Sequence, residues 1–584
     1  MRMRDAKVGL RLAVVVCAEL VAVGAMGAGP KLAEEPVPPR VTMSLSVDAT
    51  DIGRNLVKSR LSMPVKQEMA KDGAVEMRYV LWTPGNHTPS GPIENIGSLV
   101  FKADDSPAAL EWERDPQHME LFRVRVPPGV KVLRAEMTYI AGQPNVNSRT
   151  TDSYGGSSVG VVNWNTVLLY PAGFSSLEID VQATLARPTG WRFGTALIAA
   201  RGDQTLTYFD SVPLAELVDC PVVIGEYVRT YQLTTAGEAM HYLHVAGQEA
   251  EQTEVSESIR GKLSAMVAQA MAVMPMYPSH AKGINLPFPR DRYHFMHALG
   301  VPGGGGGVEH CLCTLCFGGE RAYLDAKESE IEGGGGGLLI LPHEYFHAWC
   351  GKLRAPAGLV REDFSAPADT ELLWVYEGLT DYYTDVLGAR SGMITEEEFR
   401  QNTADLMAAY EHRPGRLWRS VEDSARAARH LRNPSKSWSS LRQGQDYYGL
   451  GALFWMEADL LIRKNSGDTK SLDDFCRLFF DVPIRQVGAP ATYEREDVVK
   501  TLKAVDGGTD WDALIHERIE RPADELKFDS LAALAGCRLE YVDEATELQK
   551  KRDGRDGEAK LRTSIGLVAN KEGEITDVIP GFAA

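Results

Sequence analysis

The chain has 584 residues and a formal net charge of −18, with 44% apolar and 24% charged residues. That length exceeds one ordinary hydrophobic core and predicts three or four domains of a soluble, globular kind. The acidic charge is spread along the chain, which excludes nucleic acid as the main partner, because such binding needs a concentrated basic face.

The chain starts with Arg2, Arg4, Lys7 and Arg11, then a mostly apolar run from Leu12 to Val23, then small residues from Gly24 to Gly29. This is the order of a secretory signal peptide over residues 1–28, and it predicts export to a periplasmic or extracellular space. Glu19 interrupts the apolar run, and an uncleaved anchor or a misassigned start are the alternatives. The run is short for a stable span, and no later segment reads as transmembrane, so no integral membrane span is expected.

Residues 40–230 are β-rich. Val41–Val47, Val75–Trp82, Leu121–Val126, Leu133–Ile140 and Leu177–Ala183 alternate with period two between Gly, Pro, Asp and Asn, which predicts a β-sandwich-like domain. Trp82-Thr-Pro-Gly85 reads as a strand followed by a turn. The pattern changes after residue 250. Glu251–Val273 has helical spacing, with Ile259, Leu263, Met266, Val267 and Met271 on one stripe, and Arg292–Leu299 reads as a strand. Two pentaglycine tracts, Gly303–Gly307 and Gly333–Gly337, lack the Lys-Ser/Thr ending of a phosphate-binding loop and are expected to be mobile loops. From 338 to about 525 the chain is mainly helical, with one apolar stripe through Leu372, Val375, Tyr376, Leu379, Tyr383 and Val386. Further helices are expected over Tyr448–Arg463, Val498–Val505 and Trp511–Ile519. Near the end, Leu561–Val568 and Gly573–Gly581 read as two strands joined by a turn, and the sequence stops soon after, as an incomplete domain would. Among the eight cysteines, Cys311, Cys313 and Cys316 cluster. A zinc site of cysteines wants four ligands in paired spacing, and no fourth partner is evident, so a structural role is expected, with oxidation open to an exported chain.

The chemistry concentrates at His343-Glu-Tyr-Phe-His347, an HExxH pattern. Two His residues four apart lie on one face of a helix, so both rings reach one ion. Glu344, turned about 100° from them, is placed to act as general base on a zinc-polarised water. The motif alone recurs by chance in roughly one or two per cent of chains this long, so the rest of the site must carry weight. A hydrolytic zinc centre needs a third protein ligand and an open position. Leu373-Trp-Val-Tyr-Glu377-Gly-Leu-Thr-Asp381 supplies Glu377 on the polar side of an amphipathic helix. Asp381, one turn later, is placed to hold the free ring nitrogen of a ligating His. Standing alone, the two acids would read as a solvated face; beside HExxH they read as a ligand and its support. The expected cofactor is one Zn2+ per chain on His343, His347 and Glu377.

These residues resemble a known family. His343-Glu-Tyr-Phe-His-Ala-Trp349 with Lys352, Arg354 and Pro356, and Leu373 through Tyr383, are similar to the glycyl aminopeptidase family of gluzincin metallopeptidases. Trp82-Thr-Pro-Gly85, Leu217-Val-Asp-Cys-Pro221, Arg413-Pro-Gly-Arg416, Asp446-Tyr-Tyr448 and Ser471-Leu-Asp-Asp474 resemble further segments of it in order. The resemblance implies a multidomain α+β chain: an N-terminal β-domain at 40–230, a thermolysin-like catalytic domain at 231–395, an α-helical domain at 396–525 and an incomplete PDZ-like segment at 526–584. It implies Glu377 as third zinc ligand and cleavage of small N-terminal residues, especially Gly and Ala, from peptides with a free N-terminus.

Two more roles follow from the resemblance. Gly307-Val-Glu309-His310 resembles the family's Gly-x-Glu-His segment, which implies that Glu309 binds the substrate's α-amine; a carboxylate is the partner a buried ammonium needs. Tyr448, three residues before Gly451, implies a phenol that donates to the oxyanion, with Tyr447 as competitor. The sequence departs from the family at Leu450 (usually Lys), at Cys350 (usually Asn), at Pro342 directly before the motif, and at the pentaglycine tracts. The alternatives are a zinc endopeptidase of thermolysin-like type, which gains nothing from Glu309, and a catalytically weak peptide-binding protein.

Overall fold

The computed structural model describes residues 2–5, 38, 40–142, 151–234, 238–279, 283–301, 305–324, 337–431, 437–546, 550, 559–570 and 572–582. The fold is α+β, with a β-rich N-terminal part, a mixed five-stranded sheet and a helical C-terminal region. Of the expected signal peptide, Arg2–Asp5 forms a strand paired antiparallel with Cys537–Glu540; residues 6–28 lie outside the described residues.

In the β-rich part the period-two pattern becomes one buried face. Every second residue of Val41–Asp48 is buried, as a half-buried strand requires. It sits within an eight-stranded sheet, between antiparallel Leu56–Pro64 and parallel Ile179–Ala186. A five-stranded sheet built on Ala74–Arg78 and Leu121–Arg125 and a four-stranded sheet containing Val159–Val162 and Val222–Gly225 share its core, through Met43, Val57, Phe122, Tyr139, Trp164 and Val223. The strand expected over Val75–Trp82 stops at Arg78. The backbone N–H groups of Leu81 and Trp82 instead both donate to the Phe364 carbonyl, at 3.2 and 2.8 Å. Trp82-Thr-Pro-Gly85 is therefore a loop fastened to a later part of the chain, a tertiary contact that no local pattern encodes.

The mixed sheet has the order Tyr227–Gln232, Met240–Gly247, Arg292–Leu299, Cys313–Gly318, Gly306–Glu309. Its three middle strands run parallel and the two outer ones antiparallel to their neighbours. The edge strand Gly306–Glu309 takes in the end of the first pentaglycine tract, so Gly306 and Gly307 are strand rather than mobile loop. Residues 302–304, and the second tract apart from Gly337, lie outside the described residues. Cys313 and Cys316, three apart on one strand, serve the two cores on its opposite faces. Among the described residues no cysteine joins a metal-competent group.

The helical region wraps one face of this sheet. Ser256 caps the helix Glu257–Val273 by accepting from the Ile259 N–H at 3.2 Å. The helices Leu373–Arg390 and Asp446–Ser466 cross at bare backbone: a Cβ on Gly378 would lie 2.6 Å from Gly451 Cα. That approach sets the N-terminal third of the second helix against the N-terminal third of the first. The two strands expected near the end are three, Ala559–Leu561, Leu567–Ala569 and Ile575–Val578. The first run breaks because Ser564, Ile565 and Gly566 N–H groups turn back to the Leu561 carbonyl. This sheet docks on the helical region through buried Asp577, which accepts from Ser440 N and Oγ, each at 2.7 Å. Among the described residues no helix is long and apolar enough to cross a membrane.

Asp219, which ends the short helix Leu214–Val218, joins the β-rich part to the mixed sheet. Its Oδ1 accepts from Lys352 Nζ at 3.0 Å and His310 Nδ1 at 2.9 Å, and its Oδ2 from the Cys311 N–H at 2.7 Å. Burial alone would raise this carboxyl, but the Lys352 ammonium and the His310 ring overcome it and hold the group at about 2. A folded value below the unfolded one, about 3.9, adds stability above pH ~4 that is lost as pH falls towards ~2. Asp219→Asn is expected to destabilise the protein by about 3–5 kcal/mol, because Lys352 is left buried without its counter-charge. Adding Lys352→Met should restore part of the loss. Chemical unfolding of the three proteins checks both, and an Asp219→Asn variant as stable as the native chain would exclude the pairing.

Candidate metal centre

The HExxH segment lies on the helix Ile340–Phe346, with His347 at its C-terminal cap. Pro342 falls in the first turn, where a missing N–H breaks no helical bond. Each histidine has its Nδ1 occupied. His343 Nδ1 is 3.0 Å from Asp381 Oδ1, and His347 Nδ1 donates to the Cys350 carbonyl at 2.8 Å. Both Nε2 lone pairs are thereby left facing a common point, the tautomer that a metal-ligating ring needs. The two Nε2 atoms are 3.2 Å apart, and Glu377 Oε2 lies 3.4 Å from His343 Nε2 and 3.2 Å from His347 Nε2. Tetrahedral ligands at about 2.0–2.1 Å from an ion are about 3.3–3.4 Å from one another. The three donors thus form the base of such a tetrahedron, and Glu377 Oε2 is buried without a hydrogen bond among the described residues. The residues fit a zinc-sized cation with one position open.

Glu377 does not sit on a solvated polar side of its helix. Every residue from Leu373 to Thr380 is buried, because the helix is packed by the motif helix, by Asp446–Ser466 and by the Trp82–His87 loop. Its second oxygen, Oε1, accepts from the Tyr448 hydroxyl at 2.8 Å and from His87 Nε2. Tyr448 also stacks on His343, with ring centroids 6.2 Å apart, whereas Tyr447 is buried edge-on to His87. Of the two candidate tyrosines, Tyr448 is the one whose hydroxyl reaches the donor triangle.

Glu344 is buried beside the triangle, and its Oε2 makes no hydrogen bond among the described residues. A Cβ on Gly307 would lie 2.5 Å from Glu344 Oε1, so the edge strand presses its bare backbone against this side chain. Glu309, on the same strand, accepts from the Tyr376 hydroxyl. One oxygen of Glu309, one of Glu344 and a ring nitrogen of His347 all lie within 4.8 Å of one another. Behind Glu309 stands Gly85, with φ +82°, where a Cβ would lie 2.8 Å from Glu309 Oε2.

The electrostatics show a site short of positive charge. Burial disfavours a charged imidazole, yet Asp381 and Glu377 hold His343 well above its usual value, and Glu309 and Glu377 raise His347. Burial would raise Glu377, but His347 and His87 hold it well below the usual carboxylate range. Burial, aided by the facing Glu309, pushes Glu344 up to about 7, a range suited to taking and returning a proton.

The sequence reasoning did not single out His87, Tyr376 or the Cys350 carbonyl. His87 stands five positions after Trp82, in a loop whose closeness to the motif helix appears only in the folded chain.

The M61 glycyl aminopeptidase family matches residues 337–454, and its N-terminal domain matches residues 44–226, together just over half of the chain. The chain belongs to the M61 glycyl aminopeptidase family. It is therefore a peptidase. No curated protein matches the sequence. Among solved structures, an aminopeptidase N family protein from Idiomarina loihiensis shares the fold, with a TM-score of 0.67 at 18% identity over 84% of this chain and 77% of that one. An M1 zinc metallopeptidase from Deinococcus radiodurans, bound to a Tyr-Ser-Ala substrate, aligns with a TM-score of 0.48 at 12% identity, over 83% and 95% of the two chains.

Two departures of this M61 chain from the family pattern are explained locally. At Cys350 the main-chain carbonyl, not the side chain, holds His347, and the thiol turns to the Tyr376 carbonyl at 3.4 Å. Leu450 packs into the apolar clusters flanking its helix rather than pointing at the donors. Zinc added to the chelator-stripped protein is expected to fill one site per chain, and His343→Ala or His347→Ala to bind none tightly, since two donors do not hold zinc. Full metal content in either variant, measured by elemental analysis, would refute the triangle.

Proposed function

We propose that this peptidase is a zinc-dependent aminopeptidase that removes a small first residue, Gly or Ala, from peptides. The observation that carries the proposal is a buried carboxylate, Glu309, about one residue's length from the donor triangle, with the chain closed behind it. An α-nitrogen lies about 2.5 Å from its own carbonyl carbon, and a charge-assisted hydrogen bond adds about 2.8 Å. A carboxylate within 4.8 Å of His347 and Glu344 is therefore suited to hold the ammonium of the residue whose carbonyl is attacked. A substrate extending further towards its N-terminus would meet Gly85, which disfavours an endopeptidase. The family description, glycyl aminopeptidase, supports a small first side chain, and the basic-then-apolar start of the sequence supports export.

His343, His347 and Glu377 would hold the zinc, which when bound supplies Lewis acidity towards water and carbonyl. Around it the chain's own groups divide the work. Glu309 binds the ammonium and so aligns the scissile carbonyl, converting binding into orientation. Glu344 takes the proton from the attacking water and returns it to the leaving amine. The Tyr448 hydroxyl, which donates to Glu377 Oε1 in the free site, would turn its one O–H from that carboxylate to the oxygen on which charge develops, leaving His87 as the donor on Glu377. Asp381 and the Cys350 carbonyl hold the two imidazoles in the required tautomer.

Two substitutions test these roles separately. Glu344→Gln should keep its zinc and lose roughly 10²–10⁴-fold in rate; native turnover would place the base elsewhere. Glu309→Ala should keep its zinc and lose kcat/KM for substrates with a free amine, by an amount equivalent to roughly 2–5 kcal/mol. Acetylating the substrate amine should slow the native enzyme sharply and the variant far less. Equal cleavage of free and acetylated peptides by native enzyme would rule out the aminopeptidase reading.

A further inference from the structure

The metal triangle belongs to the catalytic part, yet one side chain of the β-rich part reaches it. His87 is 2% exposed, and its Nε2–H donates to Oε1 of Glu377, while Oε2 of the same carboxylate faces His343 and His347. We infer that His87 is a positioning residue for Glu377: it fixes the carboxylate so that Oε2 alone is presented to the ion, and docking of the β-rich part thereby sets metal affinity. This rests on the zinc reading of the triangle given above.

The terminal torsion of a glutamate is soft and nearly two-fold, so a free carboxylate swaps or shares its oxygens at little cost. Glu377 is denied that freedom by two donors on Oε1, His87 and Tyr448. The His87 ring is itself oriented by both helices of the site. It packs edge-on against Tyr376 at 5.6 Å and 86°, and against Tyr447 at 6.3 Å and 83°. Tyr376 directly precedes Glu377, and Tyr447 directly precedes Tyr448. The loop that carries His87 is pinned at its start by the Leu81 and Trp82 bonds to Phe364, and tightened by the Asn86 N–H donating to the Thr83 carbonyl at 3.1 Å. Groups that orient a metal ligand through a hydrogen bond typically contribute 10–100-fold to metal affinity. A histidine that only filled space would contribute nothing there once its volume was replaced.

The experiment compares full-length native protein with His87→Gln and His87→Met, which match in bulk and differ in having an N–H to donate. Zinc affinity is read by competition with a chromophoric chelator, and folding of the zinc-free proteins by circular dichroism and thermal melting. The Met variant is expected to lose 10–100-fold in zinc affinity, and the Gln variant to stay close to native, with kcat/KM at saturating zinc following the same order. Equal zinc affinity in the Met and Gln variants, or native affinity in the Met variant, overturns the positioning role and leaves the zinc reading intact. A folded native chain that binds no zinc overturns the zinc reading itself, and the role of His87 with it.

Discussion

Three carboxylates, Glu309, Glu344 and Glu377, are buried to 4, 3 and 2% exposure within one small volume. Taking one such charge out of water costs several kcal/mol even after relaxation, and three together repel one another. The surroundings offset this. Tyr376 donates to Glu309, Tyr448 and His87 donate to Glu377, and the two motif histidines are driven towards their charged forms. The compensation remains partial, since one oxygen of Glu344 and one of Glu377 have no hydrogen bond among the described residues. A dication at the triangle and an ammonium at Glu309 would complete the balance, which is why the zinc and the free N-terminus belong to one proposal.

That requirement explains why the site lies where three parts of the chain meet. Glu309 comes from a sheet edge, Glu344 and Glu377 from two helices, Tyr448 from a third, and His87 and Gly85 from the β-rich part. Backbone approach at Gly378 and Gly451, and again at Gly307, brings these elements closer than side chains would allow. The Asp219–Lys352–His310 group stands just behind, its buried charges paired within the protein. It needs no ligand to be stable, so it locks the strand that carries Glu309 and Lys352's turn after the motif helix, whatever the state of the metal site.

Much of this was legible in the sequence because the period of a helix places chemistry. Four-residue spacing puts His343 and His347 on one face, and the same spacing puts Asp381 one turn from Glu377. The helices and most strands were visible for the same reason. What failed were inferences that treated local polarity as exposure. A helix wheel places Glu377 on a polar side, yet its helix is buried all round at that point, because the wheel does not distinguish a solvated carboxylate from a buried one. Gly307 looked like part of a floppy tract, whereas it is a strand residue whose missing side chain leaves room for Glu344. Trp82 looked like the end of a strand because its neighbours alternate, and only the Phe364 carbonyl, far along the chain, shows why the strand stops at Arg78. His87 carries no spacing signal at all.

Not every departure from the family pattern touches the donor triangle. A side chain matters where its own atoms face the donors, and Cys350 and Leu450 do not meet that condition. The Cys350 contribution to His347 is a main-chain carbonyl, which any residue supplies, while its thiol is spent on the helix behind. Leu450 lies two positions after Tyr448, so the period of 3.6 turns it away from the face that meets Glu377. Gly85 is the opposite case. The absence of a Cβ allows its close approach to Glu309, so under the proposed function this position of the β-rich part would limit how far a substrate extends past the carboxylate. On the proposed aminopeptidase reading, the length of peptide accepted on that side would be decided by this loop of the β-rich part.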